Sequence, residues 1–323
     1  MDTIPARLKA IFEMFENSAV EGVSGVRCIA SDVPGPVLGI TACTHGNEPT
    51  GLAIFAHLLS AIGIEQTLER GTLFLVLNNV EASRRYLGAS SREEIRKSRY
   101  CDVNMNRLSR DVLERKDDSR YEVRRVQELY PIWKQFEYGL DVHSTLEASD
   151  PMLISKQGNL RSHLVRGFPI PTLITDIDTH QLGLPAFALY GGAHSSSSVF
   201  GIEAGQHEEV ATFERASLCA TALLKNLGML PGEPVVSVAS YDEYQIAGSI
   251  MFPDMSYDFV RLFNHKEFVP EGDVLAESAQ RRPPILMPFD GHLIMPSSRR
   301  GESKDISEEM SFLSCPMRTR IIE

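Results

Sequence analysis

Val37-Leu38-Gly39-Ile40-Thr41-Ala42-Cys43 runs directly into Thr44-His45-Gly46-Asn47-Glu48-Pro49-Thr50-Gly51, an apolar stretch that ends on a histidine and, three residues later, a glutamate. A second histidine closes another apolar run at Leu140-Asp141-Val142-His143, roughly 95 residues further on. Two imidazoles and one carboxylate at strand ends are the ligand set of a catalytic zinc site, which keeps its fourth position for water or a substrate carbonyl. Structural zinc is instead closed by four protein ligands, often thiolates. If Gly46 lets the chain fold back after the strand, His45 and Glu48 point to one side. Asp141 lies two residues before His143 on the same strand face, where its carboxylate would orient the imidazole or brace the adjacent loop. On their own, His45 and Glu48 read equally as a turn before a helix, since Pro49 and Thr50 suit a first helical turn and a glutamate is favourable there.

Outward from this motif, strand-like runs at Val37 to Cys43, Thr72 to Leu77, Gly139 to His143, Met152 to Ile154, Pro171 to Thr175, Ala186 to Tyr190 and Val199 to Glu203 alternate with helical segments. The helices fall near Gly51 to Ile62, Tyr121 to Phe136 and Glu208 to Leu227. Such alternation predicts an α/β architecture. Leu73-Phe74-Leu75-Val76-Leu77 is apolar without a break, as a parallel strand covered on both faces would be. Ligands in such sheets gather beyond strand ends, where His45, His143 and Glu203 would lie. Residues 81–110 carry many charges and little apolar periodicity, so a long excursion bearing substrate contacts is expected there. After Met229-Leu230-Pro231-Gly232-Glu233-Pro234, short β-rich runs at Val235 to Ser240, Phe259 to Phe263 and Leu293 to Met295 are punctuated by the turn signals Pro270-Glu271-Gly272-Asp273 and Pro288-Phe289-Asp290-Gly291. Residues 1–230 and 231–323 are therefore expected to form two domains.

Two further segments complete the pattern. Ser98-Arg99-Tyr100-Cys101-Asp102-Val103-Asn104-Met105-Asn106-Arg107 holds two arginines and an Asn-Arg pair, and Phe200-Gly201-Ile202-Glu203-Ala204-Gly205 sets one carboxylate in a short apolar strand between glycines. In isolation Glu203 reads as a salt-bridged strand-end carboxylate, and Arg99 and Arg107 as charges of a solvated loop. Taken in order, however, His45-x-x-Glu48, Arg99 with Asn106-Arg107, Asp141-x-His143 and Gly201-x-Glu203-x-Gly205 resemble the succinylglutamate desuccinylase/aspartoacylase family of the zinc carboxypeptidase superfamily. The resemblance runs from about Val37 to Gly228, with a weaker echo to the C-terminus.

The resemblance implies a zinc-carboxypeptidase-like mixed sheet flanked by helices, followed by a small barrel-like β domain covering one side of the cleft. It implies one zinc per chain on His45, Glu48 and His143, with Glu203 activating the metal-bound water and then protonating the leaving nitrogen. Arg99 would polarise the scissile carbonyl, and Asn106 and Arg107 would clamp a substrate carboxylate. Tyr190, or a tyrosine from the last third of the chain, would offer a phenol to the substrate. The residue types suit these roles: zinc lowers the pKa of bound water to about 7, and a planar guanidinium matches a carboxylate or a developing oxyanion. The chain departs from the family pattern at Asn104, where aspartate is usual, and at Ser109, where an aromatic is common. Residues 190–199 contain no arginine or lysine, unlike members that hold a second substrate carboxylate there. The serine run Ser195 to Ser198 reads as a hydrogen-bonding loop beside the pocket or as a surface linker. The expected activity is hydrolysis of the amide of a small N-acyl amino acid. A carboxypeptidase-like hydrolase of a short peptide or cell-wall fragment would use the same clamp, and a catalytically silent metal-containing binding protein is the reading outside enzymes.

Composition agrees with a globular enzyme: of 323 residues, 43% are hydrophobic and 23% charged, enough for a large core. A net charge of -11 argues against nucleic acid and anionic membranes as partners, although local positive potential at a pocket can coexist with it; a small-molecule substrate with a free carboxylate is what the resemblance implies. A homo-oligomer is compatible with the sequence. Cys28, Cys43, Cys101, Cys219 and Cys315 are scattered and odd in number, which points to a reducing, cytoplasmic setting rather than a disulfide framework. Ile4, Leu8, Ile11, Phe12 and Phe15 recur at helical spacing, so the N-terminus reads as an amphipathic helix and not a signal peptide. No run reaches the ~18 apolar residues of a membrane span. His194 and His207 flank Glu203 in sequence and are the remaining histidines placed to reach the pocket.

Overall fold

Alternation within unbroken apolar runs builds the centre of the molecule, for which the computed structural model describes residues 4–145, 148–156, 160–181, 198–296 and 309–322. A minimal antiparallel pair, β1 (Ala19–Val20) and β2 (Val23–Ser24), precedes the main sheet. The sheet takes β3 (Val26–Ala30), β4 (Val37–Ala42), β5 (Thr72–Leu77), β6 (Tyr138–Thr145), β7 (Met152–Ser155), β8 (Thr172–Thr175), β9 (Ser198–Gln206) and β10 (Ser240–Ile250), in the spatial order β10-β8-β7-β9-β6-β4-β5-β3. It is mixed: β3 runs antiparallel to β5 and β7 antiparallel to β9, while β5, β4, β6 and β9 are mutually parallel.

On β5, Leu73, Leu75 and Leu77 enter one core with Leu38, Ile40, Leu140, Val142, Phe200 and Ile202. Phe74 and Val76 point the other way, into a core with Val126, Leu129, Trp133 and Phe136. Both faces are dry, so no polar alternation is left for the sequence to show. The helices Ile4–Glu16, Thr50–Ala56 and Val210–Asn226 supply Phe15, Leu52, Phe55 and Leu223 to the first core, and Tyr121–Trp133 covers the second. Truncating a fully buried side chain such as Trp133 to alanine would cost about 3–5 kcal/mol. The period of two has a functional result. Since Ile40, Ala42, Leu140, Val142 and Ile202 face the first core, Thr41, Asp141, His143 and Glu203 share the opposite face near the ends of adjacent strands.

Several elements differ from the sequence-based expectation. Residues 81–110 are largely helical, with Val80–Gly88 and Arg92–Lys97; the second starts in a capping box, Ser91 and Glu94 each satisfying the other's backbone N–H. These helices are polar because they lie at the surface, which hides them from a periodicity argument. The helix after the first motif continues as a π-helical turn over His57–Ile62 and stops at Gly63, whose φ of 64° terminates it. Val235 to Ser240 forms no strand before Ser240. Asn226 holds Val235 instead, accepting its N–H at 2.7 Å. β10 itself escapes an apolar reading because it carries Asp242 and Glu243. Glu243 is buried against Arg318 and Arg320, which hold its carboxyl down at about 2 against the pull of burial. The expected strand Ala186 to Tyr190 lies outside the described residues.

Beyond β10 come β11 (Tyr257–Phe259), β12 (Glu267–Val269), β13 (Val274–Ser278), β14 (Ile285–Leu286), β15 (Gly291–Ile294), β16 (Ser311–Ser314) and β17 (Arg318–Ile321). Three of them form a separate sheet, β11-β13-β14, while β12-β15-β16 extends the main sheet through β10. Ile250, Phe252, Tyr257, Phe259, Leu275 and Leu293 form their own core. Among the described residues no helix is long and apolar enough to cross a membrane.

Candidate active site

The chain leaves β4 through Cys43, whose φ of 53° is left-handed, a conformation that costs a residue with a Cβ about 1–2 kcal/mol. That reversal throws His45 and Glu48 back over the sheet. Gly46 acts differently from expectation: its φ is not positive, and its role is close approach. A Cβ there would sit 2.3 Å from the Ala82 carbonyl carbon and 2.4 Å from the Ser98 oxygen, and its N–H donates to the Arg99 oxygen at 2.9 Å. The same contact therefore seats the His45 turn against the segment that carries Arg99.

Glu48 joins the two histidines. Its Oε1 lies 2.6 Å from His45 Nδ1 and its Oε2 2.8 Å from His143 Nδ1, and one donor atom from each of the three residues falls within 4.8 Å of the others. The outer nitrogens are already spoken for: His45 Nε2 meets Asn104 Oδ1 at 3.0 Å and His143 Nε2 meets Asp141 Oδ2 at 3.0 Å. Assigning the protons to Nε2 leaves both Nδ1 lone pairs directed inward. Asp141 is in turn held by Thr41 Oγ1 at 2.6 Å and Thr44 Oγ1 at 3.2 Å, and Asn78 donates to Thr44. Asn104 thus performs, with an amide oxygen, the bracing a carboxylate would perform; the same oxygen accepts the Asn106 N–H at 2.9 Å.

The electrostatics follow from burial. Burial and then the Arg99 charge push the His45 pKa down. Burial also works against charge on Glu48 and on His143, but is outweighed. The two imidazoles hold the Glu48 carboxyl well below its usual range, and Asp141 and Glu48 hold the His143 imidazolium above its own. Glu203, paired in register with His143, behaves oppositely: burial raises its carboxyl to about 8 and Glu48 adds to this, although His143 and Arg99 lower it. Its Oε2 is sealed from solvent and meets no hydrogen-bond partner among the described residues.

A cavity of ≈ 210 Å³ is lined by His45, Glu48, Arg99, Asn106, Arg107, His143 and Glu203, with Ile154, Ile177, Gln181, Met295 and Phe312 among its walls. Seven side chains singled out from sequence are thus brought together, while Tyr190, with His194 and Ser195 to Ser197, lies outside the described residues. Arg99 Nη1 reaches Glu48 Oε1 at 3.3 Å, and its Nε is buried and meets no hydrogen-bond partner among the described residues. Arg107 is engaged by Glu309.

Sequence reasoning missed Glu122. This fully buried carboxylate opens the helix Tyr121–Trp133 and accepts the N–H groups of Cys101 at 2.6 Å, Asp102 at 3.0 Å and Val103 at 3.1 Å, together with Asn79 Nδ2 at 3.0 Å. It pins the loop between Arg99 and Asn104, and only its place in a helical first turn hinted at it. His207 is buried beside the cluster with Ser144 Oγ 2.9 Å from its Nδ1, and burial drives its pKa down to about 4.

Residues 34–227 match the family model described as the succinylglutamate desuccinylase/aspartoacylase catalytic domain. The chain belongs to the succinylglutamate desuccinylase/aspartoacylase family. This family is of hydrolase, deacylase type. Solved structures share its fold. Murine aminoacylase 3 superposes with a TM-score of 0.62 at 20% identity, over 90% of this chain and 98% of that one. Succinylglutamate desuccinylase from Vibrio cholerae gives 0.64 at 15% identity over 88% and 82% of the two chains. The enzyme of that name from Chromobacterium violaceum gives 0.64 at 13% over 98% and 99%. At such identities the likeness is one of architecture. No curated protein sequence matches the chain.

Proposed function

We propose that this family member is a zinc-dependent deacylase that cleaves the amide bond of a small N-acyl amino acid. The observation that carries the reading is the buried His45–Glu48–His143 group with the Glu203 carboxyl in register beside it. The donor set suits a divalent cation. Two imidazole nitrogens and a carboxylate converge, their outer atoms are fixed by Asn104 and Asp141, and the acids Glu48, Asp141 and Glu203 outnumber any nearby cation. His45 Nδ1, His143 Nδ1 and Glu48 would hold one zinc per chain, leaving a coordination position open. When bound, zinc supplies Lewis-acid polarisation of the acyl carbonyl and acidifies water.

The remaining work falls to the chain's own residues. Glu203, ionised once a divalent cation shares the cluster, would take a proton from the attacking water and return it to the departing nitrogen. Arg99 places a guanidinium where negative charge develops on the carbonyl oxygen. Asn106 and Arg107 orient the substrate carboxylate. A cavity of ≈ 210 Å³ supports a small acyl amino acid over a peptide, since pockets for larger ligands run from about 300 to 1,000 Å³. The test is turnover of an N-acyl amino acid panel by zinc-loaded protein, with Glu203→Gln as the comparison. A loss of about 10²–10⁴-fold in kcat is expected on removing the carboxylate. Absence of hydrolysis by the loaded wild-type chain across amides and peptides would overturn the reading.

A further inference from the structure

Arg107 already has a carboxylate. Its Nε and Nη2 both lie 2.9 Å from Glu309 Oε2, and its Nη1 donates to the Asn106 oxygen at 3.0 Å. The Glu309 side chain is 0% exposed and that of Arg107 20%. Glu309 is set there by the fold: the next residue, Met310, is buried and donates its N–H to the Ile250 oxygen at 2.8 Å, and β16 begins at once. Around the cavity the guanidinium groups of the described lining are Arg99 and Arg107, and each faces an acid, Glu48 and Glu309.

We propose that Glu309 is a specificity-determining residue, a tethered carboxylate that competes with the substrate's own carboxylate for Arg107. This rests on the deacylase reading for the identity of the substrate, though not for the competition itself. A planar guanidinium offers a paired set of donors to one carboxylate at a time, and two acids brought to it repel each other. A competitor built into the chain is present at every encounter, so its effect falls on ligands that need the same guanidinium and not on neutral ones. Glu309 thereby narrows the advantage that Asn106 and Arg107 would otherwise give an anionic substrate over its carboxamide.

The test uses zinc-loaded protein on a Glu203→Gln background, which suppresses turnover, and titrates N-acetylglycine and N-acetylglycinamide calorimetrically. Adding Glu309→Gln is expected to raise the ratio of carboxamide Kd to carboxylate Kd roughly tenfold, as loss of one charge-assisted competitor predicts. Equal weakening of both ligands, an unchanged ratio, or no binding of either ligand to any variant overturns the proposal. If Glu309→Gln does not fold, Glu309→Asp, which keeps the charge but shortens the reach, is expected to raise the ratio by a smaller factor, and no rise there overturns it equally. Because binding needs no turnover, the two readings fail separately: an inactive chain with the expected ratio sinks the deacylase, and an active one with an unchanged ratio sinks the competition.

Discussion

Replacing Glu203 by glutamine should stabilise the metal-free protein, and increasingly so as pH rises towards 8. Burial raises the Glu203 carboxyl to about 8, against 4.5 for the same group in an unfolded chain. The native state therefore keeps a proton that the unfolded chain releases, so stability drains away as pH rises from 4.5 to about 8. At about 1.4 kcal/mol per pH unit, the penalty reaches about 4 kcal/mol near pH 8 and falls to about 1 kcal/mol near pH 5. Glutamine is isosteric and never ionises. Urea unfolding of chelator-treated wild-type and Glu203→Gln proteins at both pH values reads the difference, because titrating groups remote from the cluster cancel. The variant should gain several-fold more stability at pH 8 than at pH 5. An equal gain at both, or a loss at pH 8, would refute the view that the carboxyl is buried without compensation.

Glu122→Gln replaces an acceptor of four hydrogen bonds with a group that must turn an NH₂ towards some of the same donors, so it should cost about 2–4 kcal/mol. By loosening the loop that presents Arg99 and Asn106 it should also lower kcat/KM tenfold or more, and a thermal melt beside steady-state kinetics measures both. Burial holds His207 neutral down to about 4, below its ordinary 6.5, so the stability it contributes is present above 6.5 and lost as pH falls through 6.5 towards 4, by up to about 3 kcal/mol. His207→Gln should flatten that acid limb, which chemical unfolding at pH 7 and about 4.5 would reveal. Gly46→Ala drives a methyl into the Ala82 backbone, displaces the His45 turn and should cut bound zinc, measured by elemental analysis, well below one per chain.

Much of this architecture was legible because the relevant signals are local. The apolar runs that became β4, β5, β6 and β9 are continuous in sequence, and the polar residues that interrupt them at Thr41, Asp141, His143 and Glu203 fall on a single face by the period of two. The helices within residues 81–110 were not legible from periodicity because they bury too little, although Ser91-x-x-Glu94 carried their start signal. β10 was hidden by Asp242 and Glu243, whose place in a sheet depends on Arg318 and Arg320 arriving from the far end of the chain. Glu122 and Glu309 were invisible for the same reason. A carboxylate's value as a loop clamp or a competitor depends on donors brought to it by tertiary structure, and one sequence shows only the acid.

β10 ties the sheet that carries His45, His143 and Glu203 to the C-terminal strands. Along one length it is laddered to β8, and along the rest to β16, the strand that brings Phe312 to the cavity wall. A hinge between the two parts of the chain would have to tear those backbone pairings, each a row of hydrogen bonds. Access to the cavity consequently does not call for whole-domain swinging, and any turnover should be insensitive to solvent viscosity on the scale expected for it.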